Sequence, residues 1–285
     1  MSSKKIIILA LAFLVSWGSS GQTSSGSLLW KIEGNNIQPS YVYGTIHLLP
    51  QTRFKLQDKV REAFTSAQQI VLELDIDQAD FQTSFMKNIP MKDGKTLQDL
   101  MDQEDYQKLD AALQNLIGSG IQPFNTWKPI GISSLLIMQF IDGPPASFER
   151  SFVSMAKEQE KELLGLETVE EQMAAFDNIP YQEQIDDIME MLDQPDRSQG
   201  IFMEMVEQYL QEDVEGLYRF TTRYLDTEEE INSLLHVRNR NWIPRIGELA
   251  KENSTFFGVG AAHLGGEQGI LNLLQEAGYT LTPVY

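Results

Sequence analysis

Two stretches of the chain repeat one arrangement of apolar and polar positions. The apolar run Tyr41-Val42-Tyr43 stops at Gly44 and is followed by Thr45-Ile46-His47. Leu56, Val60, Ala63, Phe64 and Ala67 then recur at three- and four-residue spacing, as on one helix face. Ile70-Val71-Leu72-Glu73-Leu74 comes next and reads as an apolar strand interrupted by one carboxylate. Near the C-terminus, Phe256-Phe257-Gly258-Val259-Gly260 leads through Ala261-Ala262 to His263. Ile270, Leu273, Leu274 and Ala277 follow at helical spacing, Gly278 reads as a helix stop, and residues 279–284 read as a strand. The pattern predicts strand, GxxH, helix, strand, twice over, each unit resembling a crossover within a sheet.

The remaining segments fill in around these units. Residues 28–33 read as a first strand, and Gly34-Asn35-Asn36 as the turn of a hairpin leading into the first GxxH strand. From about 77 to 249 the periodicity becomes helical. Tyr106, Leu109, Leu113 and Leu116 mark one face that stops at Gly118, and Pro129 opens another apolar run. A helix is expected over 147–161 and a short strand over 162–167, and Thr168 with Glu171 forms a capping-box signature. Pro244 is expected to mark a break or a fresh start in the last helical pair, residues 231–248. The expected fold is α/β: a central mixed β-sheet built from the two GxxH units, with a long helical insertion (about 77–249) between them. No linker rich in Gly, Ser or Pro divides residues 26–285, so they are expected to form a single domain.

Residues 1–25 change that reading only at the start. Lys4-Lys5, an apolar core too short to span a bilayer, and a small polar run around Gly18-Ser19-Ser20 read as a signal peptide. The expected location is periplasmic or secreted, with no stable membrane span once the leader is removed. There is no cysteine, so neither disulfides nor a lipidated cysteine is available and the core must carry stability alone. A net charge of −19 argues against binding nucleic acid by neutralising phosphates.

Only three histidines occur, and two of them stand in the GxxH setting. Glycine permits a sharp turn and a close backbone approach, and ligands of open α/β sheets collect beyond the carboxyl ends of strands. Two imidazoles with one or two carboxylates make a nitrogen/oxygen site for a metal that can activate water. Glu73 and Glu167, each on an apolar strand, are the candidate carboxylates, the second as a general base. A metal-independent alternative uses histidine and glutamate as base and orienter. No GxSxG motif is present, which disfavours a serine α/β-hydrolase. His236, within a helical run, reads as structural or surface.

In order along the chain stand Gly44-Thr45-Ile46-His47, Glu73 in Val-Leu-Glu-Leu-Asp, Leu166-Glu167-Thr168 with Glu171-Gln172, Arg238-Asn239 with Trp242, and Gly260-Ala261-Ala262-His263-Leu264. This ordered set resembles the TraB/PrgY/GumN family in its bacterial GumN-like branch. That family is similar to the Tiki proteins, membrane-tethered metal-dependent proteases, and more distantly to haem-binding ChaN and erythromycin-esterase-like folds. The resemblance implies an exported metal-dependent hydrolase, a peptidase acting on a peptide or small-molecule substrate. It implies a divalent ion of manganese, cobalt or zinc type, held by His47, His263 and Glu73. Glu149, Glu167, Arg238 and Asn239 match other polar positions of the family. Glu167 and Asn239 are expected in the catalytic group, Glu149 in substrate binding, and Arg238 at an oxyanion or a substrate carboxylate. The alternative is a non-catalytic protein of the same fold that sequesters a peptide or haem.

Overall fold

The computed structural model describes residues 26–225 and 227–285, so the leader expected at 1–25 lies outside the described residues. Its strands are β1 (Leu29–Glu33), β2 (Ser40–Thr45), β3 (Leu49–Pro50), β4 (Gln69–Leu72), β5 (Pro145–Ala146), β6 (Glu162–Gly165), β7 (Thr255–Gly260) and β8 (Thr280–Pro283). Six of them form one mixed sheet in the order β6-β4-β7-β2-β1-β8. β2, β7, β4 and β6 run parallel, while β1 pairs antiparallel with both β2 and β8. The expected hairpin is present, with Leu29 opposite Tyr43.

The two GxxH units interleave rather than standing side by side. β7 enters between β4 and β2, so the two GxxH strands are direct neighbours, with Gly44 opposite Val259. The glycine makes this approach possible. A Cβ on Gly44 would lie 2.8 Å from Leu264 Cδ1 and 3.0 Å from both Cα and Cβ of Ala261. The turn that carries one histidine thus rests on the turn that carries the other.

The core explains the rest of the layering. Helix Asp58–Ser66 buries Val60, Ala63 and Phe64, the face expected from their spacing. Helix Phe148–Glu158 buries Phe148, Phe152, Met155 and Ala156. Phe64 stacks on Phe152 at 5.5 Å, and both meet Phe256 of β7 edge-on, at 5.4 and 5.0 Å. Offset and edge-to-face aromatic pairs of this kind add about 0.5–1.5 kcal/mol each beyond their buried area.

The insertion is not purely helical. Its strand β6 joins the sheet edge beside β4, and its strand β5 pairs with β3 in a separate ribbon, Ala146 opposite Leu49. That ribbon ties the segment just after His47 to the segment just before Ser147 and Glu149. Pro244 marks neither a break nor a fresh start. Helix Val237–Glu252 runs through it, and the irregularity falls earlier, in a π-helical turn at Asn232–His236. A π-turn widens the helix locally, and such turns gather at functional sites. Arg238 follows two residues later.

Candidate functional site

Every candidate side chain but one group lies just beyond the carboxyl end of a parallel strand. Glu73 follows β4 by one residue, His47 follows β2 by two, Glu167 follows β6 by two, and His263 closes the 3-10 turn Ala261–His263 after β7. Glu73 and Glu167 are therefore not interruptions within strands, as the sequence suggests, but the first polar residues after them. They converge because their strands are neighbours in register, with Glu167 N–H donating to Glu73 O at 3.0 Å. Glu149, Arg238 and Asn239 come from two helices.

Gly260 is the floor of the site. A Cβ there would sit 3.1 Å from Glu73 Oε1, 3.4 Å from His263 Cδ2 and 3.8 Å from His47 Nε2. The Gly260 N–H donates to Glu73 Oε1 at 2.7 Å.

His47 forms the rim, with 65 % of its side chain exposed. Its Nδ1 bonds Glu149 Oε1 at 2.9 Å. Thr45 Oγ1 donates to the same oxygen at 2.6 Å, and Ser147 Oγ donates to Glu149 Oε2 at 2.7 Å. Ser147 is also the N-cap of helix Phe148–Glu158, which places Glu149 in the first turn, where a carboxylate is favoured by the helix dipole. Burial works against a charge on His47, but the Glu149 carboxylate outweighs it and pushes the ring up to about 9. The open rim weakens that opposition and also screens the pull of the carboxylate, so the upward direction rests on the direct contact between Nδ1 and Glu149 Oε1. Burial likewise opposes the Glu149 carboxylate, and His47, Thr45 and Ser147 together hold its carboxyl below the usual range.

His263 and Arg238 form the buried inner half. His263 Nδ1–H donates to Asn239 Oδ1 at 2.6 Å. The Asn239 amide is fixed by its own donations to His263 O at 3.3 Å and Gln268 O at 2.8 Å. This selects the tautomer with a lone pair on Nε2, and that lone pair accepts from Arg238 Nη1 at 3.1 Å. Arg238 Nη2 donates to Glu73 Oε2 and to Glu167 Oε1, both at 2.6 Å. Its Nε meets both Glu167 oxygens at 3.1 Å, and Nη1 also donates to Leu234 O at 3.0 Å, within the π-turn. Gln172 donates to Glu73 and Glu167, Trp242 Nε1 donates to Glu167 Oε2, and the Trp242 ring lies 4.8 Å beneath the guanidinium.

The electrostatics follow from this packing. Burial and the guanidinium push His263 down to about 3, so it is a neutral imidazole at physiological pH. Burial alone would raise Glu73, but Arg238, the two histidines and the Gly260 N–H together outweigh it and hold the carboxyl near 2. Glu167 is raised by burial, with Arg238 pulling the other way. Arg238 itself is raised, since its carboxylate partners outweigh burial. The geometry favours an ionised Glu167, because its partners Arg238, Gln172 and Trp242 all present N–H donors.

The structure therefore brings His47, Glu73, Glu149, Glu167, Arg238, Asn239 and His263 into one cluster. Glu149 faces His47 rather than open space for a substrate, and Arg238 has no donor left for a substrate or an oxyanion. The expected ion would lie between His47, Glu73 and His263. Among the described residues no group of three His, Asp or Glu side chains is arranged to hold a metal. One obstacle is visible at His263, whose Nε2 lone pair accepts from Arg238 Nη1. Thr45, Ser147, Gln172, Trp242 and the Gly260 N–H also belong to the site. Of these, Thr45, Gln172, Trp242 and Gly260 stand in the ordered motifs of the sequence, and Ser147 is a helix-cap type two residues before Glu149. His236 lies outside the cluster, bonded through Nε2 to Tyr218 OH at 3.0 Å. A surface cleft of about 610 Å³ on the insertion, lined by Gln98, Asp102, Tyr106 and Asp110 among others, contains no histidine.

Comparison with known proteins agrees with the ordered motifs. "Metalloprotease TIKI2" of Danio rerio is 23 % identical over 317 residues, covering 90 % of this chain and 61 % of the relative. The chain thus spans less than two thirds of that protein's length. No solved structure matches the chain significantly. The family model for TraB/PrgY/gumN matches residues 28–283, a span that holds every strand and every candidate side chain described above, and the chain belongs to the TraB/PrgY/gumN family.

Proposed function

We propose that the protein is a hydrolase of amide or ester bonds, a peptidase by the closer analogy, working at the rim of this site. The observation that carries the reading is the His47–Glu149 pair, with His47 Nε2 and Glu73 Oε1 both bordering the space above Gly260. An imidazole oriented by a carboxylate on Nδ1 and free on Nε2 is the base–orienter arrangement of many hydrolases. A water above Gly260 would give one hydrogen bond to Glu73 Oε1 and its other proton to His47 Nε2 as its oxygen attacks the carbonyl. His47 would then return that proton to the leaving amine or alkoxide. Glu73 orients the water and does not take the proton, because Arg238, with the histidines and the Gly260 N–H, holds its carboxyl near 2 against burial. His47 accepts a proton only when neutral, so kcat/KM should climb roughly tenfold per pH unit toward about 9 and then level.

The test is hydrolysis of a quenched-fluorescent peptide library and of aryl esters by the wild type, His47→Ala and Glu149→Gln. No turnover by the wild type of either class, or equal turnover by His47→Ala, would sink the reading. A second reading, a metal-dependent peptidase, is favoured by the name of the zebrafish relative. It requires Arg238 to leave His263. The leader-like residues 1–25 support an exported place of action, checked by N-terminal sequencing of the mature chain.

A further inference from the structure

Arg238 is the most fully engaged cation of the site. A guanidinium has five N–H groups. Here Nε serves Glu167, Nη2 serves Glu73 and Glu167, and Nη1 serves Leu234 O and His263 Nε2. Its side chain is 11 % exposed, against 10 % for Glu73 and 5 % for Glu167. Two buried carboxylates and an imidazole lone pair thus converge on one positive group. Donors of these types suit a divalent ion, although with Arg238 between them they form no such group as they stand, and buried charges of this kind must be compensated.

We infer that Arg238 is a tethered cation standing where such donor sets hold a metal, so that the chain takes up no ion through His263 while the guanidinium is in place. Taking Arg238 away uncovers Glu73, Glu167 and His263 as a latent metal site. Asn239 keeps the His263 lone pair on Nε2, the nitrogen that faces the vacated position. A divalent ion supplies the charge that the two carboxylates then lack. An ordinary buried ion pair predicts no such gain, since removing its cation would only destabilise the chain. The inference does not depend on hydrolysis, because metal uptake is read on the chain itself.

The experiment strips the purified full chain with a chelator and dialyses it against zinc or manganese chloride. Retained ion is measured by elemental analysis, and melting is followed with and without the ion. Wild type and R238K, which keeps the charge, should retain no ion and show no shift in melting. R238M should retain about one ion per chain, bind at least about tenfold more tightly than wild type, and melt higher when the ion is added. The double variant R238M/H263A should lose the gain. A wild type that holds one ion and loses it in H263A overturns the inference, as does a folded R238M that gains nothing. Should R238M fold only when the ion is present, that dependence supports the inference directly. Should it fail to fold with or without the ion, R238Q under the same dialysis decides. An ion gained by R238Q and lost in R238Q/H263A upholds the inference, and no gain, or retention by the wild type through His263, overturns it.

Discussion

His47 and His263 come from the same motif, each a few residues beyond a parallel strand that ends in a glycine turn, and the two carry opposite chemistry. His47 is exposed, has a carboxylate on Nδ1, and is pushed up to about 9. His263 is buried, has an amide oxygen on Nδ1 and a guanidinium on Nε2, and is pushed down to about 3. The strand and turn decide where the ring stands. A partner from a remote segment decides whether it holds a proton. The rim is thereby equipped to move protons, and the floor is equipped to hold still.

The sharpest test of that division separates activity from stability at the two rings. His47→Ala should lower kcat/KM by about 10²–10⁴-fold. Its urea midpoint should correspond to a loss of no more than about 1 kcal/mol, because the pair it breaks lies at the surface. If His47→Ala unfolds the chain, the rim is structural and the comparison fails.

The second test acts on the floor. Arg238→Ala leaves Glu73 and Glu167 without their shared cation, and urea unfolding without added metal should show a loss of about 3–5 kcal/mol. A loss below about 1 kcal/mol would mean that water already reaches these carboxylates, and the contrast between wet rim and dry floor would go.

Much of this arrangement is legible in the sequence because it is local. The helix face of Val60, Ala63 and Phe64, the stop at Gly118 and the capping box of Thr168 and Glu171 each rest on residues within a few positions of one another. The repeated GxxH is local too, and it marks both turns. What escapes is non-local pairing. The ordering that slides β7 between β4 and β2 brings together strands whose hydrophobic patterns are alike, so the pattern cannot rank their neighbours. Glu149 reaches His47 across 102 positions through the ribbon of β3 and β5, and those strands have two residues each, too short for a period. Arg238 looks like ordinary helix surface until the π-turn at Asn232–His236 and the closing sheet enclose it. Pro244 misleads because proline propensity is a local rule, whereas the enclosing core keeps this helix continuous.

A smaller change tunes the rim without removing it. Glu149→Gln keeps a hydrogen-bond partner of similar shape but deletes the charge that outweighs burial at His47. The ring should fall back toward its ordinary value near 6.5. The alkaline midpoint of kcat/KM should move down from about 9 by more than one pH unit, while the urea midpoint hardly changes. A profile that keeps its midpoint would assign the titration to some group other than His47.

The smallest effect, and the one that reads both rings in a single measurement, is the dependence of stability on pH. For His47 the folded value, about 9, lies above the unfolded value near 6.5. Folding therefore favours the protonated ring, and its contribution is complete below about 6.5 and lost as pH rises through 9. For His263 the folded value, about 3, lies below the unfolded one, so folding favours the neutral ring. Its contribution is complete above about 6.5 and lost as pH falls through 3. Glu73, held near 2, adds to the acid limb between about 4.5 and 2. Urea unfolding from pH 3 to 9.5 should then give a steep acid limb, set by the buried floor, and a shallow alkaline one, set by a ring that solvent screens. His47→Ala should flatten the limb between 6.5 and 9 and also soften the acid limb below it, because the ring helps hold the Glu149 carboxyl down, whereas His263→Asn should flatten the limb between 6.5 and 3 and leave the alkaline one alone. If His47→Ala leaves the alkaline limb intact while His263→Asn removes it, the two rings hold their protons the other way round, and the division between a proton-moving rim and a fixed floor has to be reversed.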